Sequence, residues 1–180
     1  MSRILHSIVL GSVLSVSIAG PLAQTSRDNL LSALITNAPD QRALAKHRLT
    51  VTNVRQLFAV DRELLKLTRN VPDLASRVLE LEKRFDPDGQ AGTVVAAAKA
   101  CESVPEIAQI LGGQKIAGRE YVLTKMVATF AQVVSDSGTF HGEESDPSLQ
   151  FWRSLGPALK AEAEDWKSVR EEMNQRGWTR

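Results

Sequence analysis

Few residues in this chain are of a type and spacing that could do chemistry. Asp86-Pro87-Asp88-Gly89 opens like a calcium loop. Such a loop needs glycine at its sixth position and glutamate at its twelfth. Counted from Asp86, those places hold Ala91 and Ala97, so the segment reads as a tight turn. The histidines are a poor start for a metal site. His47 lies in the basic stretch Lys46-His47-Arg48 and His141 in a polar, glycine-bearing stretch, whereas zinc needs three or four converging ligands. No metal and no cofactor is expected. Cys101 is the only cysteine, which excludes an internal disulfide and any Cys-x-x-Cys-His haem attachment. It shares a helical face with Val94 and Ala98, so a buried, inert thiol is expected; a reactive one would want a basic or helix-start setting. There is no Gly-x-Ser-x-Gly elbow. Gly112-Gly113-Gln114-Lys115 lacks the spaced first glycine of a phosphate loop.

One carboxylate stands apart. Asp61 lies seven residues after Val54 and four before Leu65, within an otherwise apolar helical stripe. Burying a lone carboxylate is costly unless it is paired. Arg119, Tyr121 and Lys125 fall within two turns at the start of another apolar helix, and Arg119 is expected to reach Asp61 if the two helices pack. Asp61, Arg119, Tyr121 and Lys125 thus form the one candidate polar pocket, in which a cation would meet an anionic ligand and Tyr121 would orient it. A structural ion pair at the edge of the core is the competing reading, and the preferred one. No residue is assigned a catalytic role. Exported all-helical chorismate mutases have this size and converge several Arg and Lys side chains on one pocket. Arg55, Arg62, Arg119 and Lys125 lie on expected helices, but in no specific pattern.

The elements that must position these groups are helices. Apolar residues recur every three to four places from Thr52 to Met173, and no stretch alternates as a strand would. The pattern predicts short helices over 27–36 and 40–47, separated by Asn37-Ala38-Pro39-Asp40. A longer helix capped by Thr52 is expected to run to about Asn70, and another to open at Pro72. Thr93 is expected to cap a helix through Cys101, and Ser103 with Glu106 to form a capping box for the next, which Gly112-Gly113 ends. Residues 118–135 are apolar almost all round, through Val133 and Val134, and should be the central rod of a bundle. A loop over 135–145 follows. Asp146-Pro147 and Gly156-Pro157 open the last two helices, the second with Leu159, Ala163, Trp166, Val169 or Arg170, and Met173 expected inward. Gly177 is placed as a left-handed cap, which would fold Trp178 back toward Met173 as a structural lid. The fold class expected is all-α, one domain of about six to eight helices around the 118–135 helix.

The start of the chain reads differently. Arg3 precedes an uncharged apolar run from Ile4 to Ile18, followed by Ala19, Gly20 and Ala23. That order is a secretory signal peptide, too short to span a bilayer, which takes ~20 residues. Residues 1–23 are assigned to it, with cleavage after Ala19 as the alternative. Residues 24–48 are read as an N-terminal helical segment expected to be mobile, and 49–180 as the bundle. The chain behind residue 23 carries 21 basic and 21 acidic side chains. Such a balance argues against nucleic acid, which demands a basic excess, and no Lys/Arg cluster suits anionic lipid.

From Leu49 to about Trp166 the chain resembles a group of exported bacterial helical proteins to which no activity is assigned. The likeness is carried by Thr50-Val51-Thr52-Asn53-Val54-Arg55, Val104-Pro105, Ala117-Gly118-Arg119-Glu120-Tyr121-Val122-Leu123-Thr124, and Pro147 to Phe151. Here Ala117 stands where such a segment would use Ser or Thr as its cap. The resemblance implies an all-helical exported protein and carries over no catalytic residue. The reading from sequence is a periplasmic or secreted, non-enzymatic binding or scaffolding module of the envelope. Its partner would be another envelope protein or a small ligand, with no nucleic acid and no membrane beyond the export signal. A carrier of a small apolar or anionic molecule is the first alternative, and a chorismate-mutase-type enzyme the second.

Overall fold

The computed structural model describes residues 38–89, 92–137 and 146–178. The expected signal peptide with its cleavage site, the expected helix over 27–36, and His141 lie outside them. Among the described residues the chain forms eight helices and no strand: α1 (Ala38–Lys46), α2 (Val51–Asn70), α3 (Leu74–Phe85), α4 (Thr93–Ser103), α5 (Pro105–Gly113), α6 (Gly118–Ser137), α7 (Pro147–Arg153) and α8 (Pro157–Gln175). The molecule is an all-α bundle. No described helix is long and apolar enough to cross a membrane.

Helix α6 packs against α1, α2, α4, α5 and α7. That company explains why Tyr121, Leu123, Val127, Ala128, Ala131 and Val134 are all buried on one rod. Its cover is incomplete, since Val133, expected inward, is half exposed. Helix α8 packs chiefly on α2, and α3 on α4. The largest fully buried side chains include Trp166, Phe58, Leu57, Leu64 and Met173, each stabilising the fold by ~1.5–3 kcal/mol. Leu44 and His47 of the N-terminal stretch are also buried, so α1 contributes to the same core.

Several helix starts differ from the sequence reading. Thr50, not Thr52, caps α2: its hydroxyl accepts from Asn53 N at 3.2 Å and the Asn53 side chain answers Thr50 N at 2.8 Å. The reciprocal pair wins because it satisfies two end amides at once. Pro72 lies in a turn ahead of α3, which begins at Leu74. Ser103 closes α4 instead of capping α5, whose N-cap is Val104 with no side-chain bond. Pro39 and Asp40, expected as a break, form the first turn of α1.

Two starts are capped by carboxylates from other helices. The buried Asp40 of α1 accepts from Val94 N at 3.3 Å, at the first turn of α4. Glu102, near the end of α4, accepts from Gly118 N at 3.0 Å and supplies the cap that Ala117 cannot. A negative group at a helix N-terminus satisfies an orphan amide and opposes the positive end of the dipole. At the far end, Gly177 takes φ 90°. Its N–H donates to Asn174 O at 3.0 Å while Trp178 N–H donates to Met173 O at 3.2 Å, a Schellman ending. The Trp178 indole then donates to Thr68 Oγ1 at 2.9 Å, clasping α8 to α2.

Gly92 and Gly177 separate two causes of glycine dependence. Both have positive φ, but a Cβ at Gly92 would lie 2.6 Å from Asp40 Oδ1, whereas one at Gly177 meets nothing within 4 Å. Gly177→Ala should therefore cost only backbone strain, about 1–2 kcal/mol. Gly92→Ala should cost at least about twice that, because Asp40 must also leave the start of α4. Urea unfolding of the two variants checks this, and equal losses would remove any role for the Asp40 cap.

Candidate functional site

Helix α2 carries Asp61 into the middle of the core because Leu57, Phe58, Leu64 and Leu65 bury the faces around it. Its relative exposure is 0 %. With no water to solvate it, the carboxylate depends on protein donors. Tyr121 Oη donates to Asp61 Oδ1 at 2.6 Å and Lys125 Nζ donates to the same oxygen at 3.1 Å. From α8, the indole of Trp166 donates to Oδ2 at 2.8 Å. Tyr121 and Lys125 stand one turn apart on α6, so both reach Asp61 from one helical face. Lys125 Nζ also donates to Tyr121 Oη at 3.1 Å.

The electrostatics keep the Tyr121 hydroxyl in its donating form. Burial, and then the Asp61 charge, push the Tyr121 hydroxyl well above its ordinary pKa, so it holds its proton. The Lys125 side chain remains 20 % exposed, which leaves part of its ammonium to water and lowers the cost of bringing it inward. Trp166 is held by rings: Phe58 stacks at 5.1 Å between centroids and Trp152 lies tilted at 6.0 Å. Cys101 is buried as its helical face requires, and burial pushes its thiol up to about 12. At neutral pH it is not a nucleophile.

Of the four sequence candidates, the structure brings together Asp61, Tyr121 and Lys125. It does not bring Arg119, which is exposed and whose charge acts on Asp40 instead. The reason is angular: two residues along a helix turn about 200°, so Tyr121 inward puts Arg119 outward. Arg55 and Arg62 also point away from Asp61, pairing with Glu162 at 3.3 Å and Asp165 at 2.8 Å across the α2–α8 surface. Hence Arg55, Arg62, Arg119 and Lys125 do not converge on one pocket. His47, from the basic stretch, is buried with Nε2 3.2 Å from Thr124 Oγ1. Burial lowers its pKa, partly offset by Glu120. Among the described residues no three His, Cys, Asp or Glu side chains are grouped to hold a metal.

Sequence reasoning missed Trp166 as a donor, since an inward tryptophan reads first as core. It also left Arg170 open as an inward position. Arg170 is buried with its guanidinium carbon 5.1 Å from the Trp166 ring, and its Nη1 has no hydrogen-bond partner. A charged residue at a core register was the available signal. No family model, curated protein or solved structure matches the chain, so the functional reading rests on this geometry.

Chemically, the Asp61 cluster is closed. A general base must reach the proton that it removes, and this carboxylate has both oxygens engaged and no exposed surface. Removing it should be expensive. Asp61→Ala leaves the Tyr121 hydroxyl and the Trp166 indole without their acceptor and Lys125 without its counter-charge, and is expected to cost about 3–5 kcal/mol. Tyr121→Phe removes one of three donors to a charged group and should cost about 1.5–3 kcal/mol. Urea midpoints measure both; an Asp61→Ala loss no larger than that of Tyr121→Phe would contradict the assignment.

Proposed function

We propose that the chain is a periplasmic or secreted helical module of the bacterial envelope that binds or scaffolds another envelope component and turns over no substrate. The observation that carries this reading is the saturation of Asp61 by Tyr121, Lys125 and Trp166 at zero exposure. Among the described residues, the buried ionisable groups gathered on Asp61 are spent on joining three helices. The signal-type sequence at Arg3–Ala23 and the equal numbers of acidic and basic residues behind it support export and argue against nucleic acid.

A carrier of a small ligand inside the bundle is the second reading. Arg170 favours it, as a buried cation whose Nη1 has no hydrogen-bond partner and which makes no ion pair among the described residues.

Fractionation of cells expressing the full chain, followed by capture from an envelope extract on the processed protein, tests the first reading. The expected result is a processed protein outside the cytoplasm that retains a reproducible, stoichiometric partner. No partner under several conditions, or turnover of chorismate that Lys125→Met abolishes, would contradict it.

A further inference from the structure

Among the described residues, most of the buried side-chain polar atoms without a protein partner lie on α6, α7 and α8. Thr129 Oγ1 and Gln132 Oε1 on α6, Ser148 Oγ on α7, and Arg170 Nη1 on α8 are all of this kind. Their residues are each more than nine-tenths buried. An unsatisfied buried polar atom costs ~1–3 kcal/mol, and more when charged, so four of them call for a cause.

Helical register places them along one seam. On α6, Lys125, Thr129, Gln132 and Asp136 follow at spacings of four, three and four, a single face. Asp61 binds the Lys125 end of that face. At the other end Asp136 accepts from Lys167 of α8 at 2.8 Å. Arg170 lies one turn beyond Lys167 and experiences the charges of both Asp61 and Asp136. Thr129 and Gln132 occupy the middle of that face, between the end engaged by Asp61 of α2 and the end engaged by Lys167 of α8.

The charge balance there is uneven. Lys125 is matched by Asp61 and Lys167 by Asp136, and no ion pair among the described residues includes Arg170. Burial works against its charge, and the carboxylates of Asp61, Glu171 and Asp136 only partly compensate. Stacking on Trp166 supplies some of the missing stabilisation, but a ring face accepts no hydrogen bond of full strength. A guanidinium fork fits the two oxygens of a carboxylate. The Thr129 hydroxyl is a further donor, and the Gln132 amide can present its N–H once turned end for end. A dianion suits the place poorly, because one unmatched positive charge sits between two aspartates. Trp166 and Trp152 provide an aromatic wall.

We propose that Arg170, Gln132 and Thr129 form a binding site for the carboxylate group of a small aromatic or apolar acid, lodged between α6 and α8 beside Trp166. The inference rests on the carrier reading and names its ligand class. It does not use the Asp61 carboxylate, which is saturated.

Calorimetric titration with benzoate tests it, with benzamide as the neutral isostere and inorganic phosphate as the dianion. Expected is saturable one-to-one benzoate binding, about millimolar or tighter, with no binding of benzamide and weaker binding of phosphate. Arg170→Gln and Gln132→Leu should each weaken benzoate by about tenfold or more, the worth of a hydrogen bond to a charge. Should Arg170→Gln fail to fold, Arg170→Lys keeps the charge while losing the fork and should show the same loss. No saturable benzoate binding overturns the proposal, as do equal binding by the Arg170 variants or phosphate binding as tightly. Native mass spectrometry of freshly purified protein separates the two failures: a bound mass without benzoate affinity would overturn the carboxylate site while leaving a carrier, and an apo spectrum with no benzoate affinity would overturn both.

Discussion

A carboxylate shut away from water imposes the strongest single constraint on this fold. Asp61 cannot be stable in the core unless donors come to it, and the donors sit on two other helices. Three rods that could otherwise slide along apolar faces are held in one register. Apolar packing is non-directional, so it supplies most of the stabilisation but little of the specificity. Hydrogen bonds to a charge are directional, and their loss is penalised at both ends. The cluster therefore fixes which turn of α6 faces which turn of α8, while the aliphatic core around it supplies the driving force.

The same division of labour recurs at the helix ends. Asp40 and Glu102 cap α4 and α6 from a distance in sequence, so the start of one helix depends on the placement of another. Trp178 does the converse at the end of α8, where a left-handed glycine turns the chain back and the indole reaches Thr68. These polar ties connect α1 to α4, α4 to α6 and α8 to α2. Arg170 departs from the pattern, in that its Nη1 is buried without a hydrogen-bond partner.

Much of the architecture was legible in the sequence because apolar periodicity survives any detail of packing. The central helix, the Asp146-Pro147 and Gly156-Pro157 starts and the Gly177 ending all follow from local chemistry, since a proline, a cap or a left-handed glycine acts within one turn. Asp61, Tyr121 and Lys125 could be singled out because a charge within an apolar stripe must find a partner. What could not be read was direction. Arg119 seemed as good a partner as Lys125 until the rotation of α6 was fixed, and that rotation is set by which residues face α2. The caps from Asp40 and Glu102 were invisible for the same reason, being tertiary contacts between segments that share no local pattern. Thr50 and Thr52 offer the same hydroxyl, and only the reciprocal bond from Asn53 distinguishes Thr50 as the cap. Trp166 and Arg170 were placed inward or nearly so, but inwardness alone does not reveal a hydrogen bond or an unpaired charge.

The central claim, that Asp61 binds α6 and α8 through a closed set of donors, is most directly tested at the Trp166 indole proton. Variants Trp152→Phe and Trp178→Phe assign the three indole resonances, and hydrogen exchange is then followed by NMR in the native protein. The account predicts that the Trp166 proton is the slowest of the three, exchanging only as fast as the whole bundle unfolds, and that Asp61→Asn accelerates it. Exchange of that proton faster than global unfolding in the unaltered protein, or a rate indifferent to Asp61→Asn, would contradict the account.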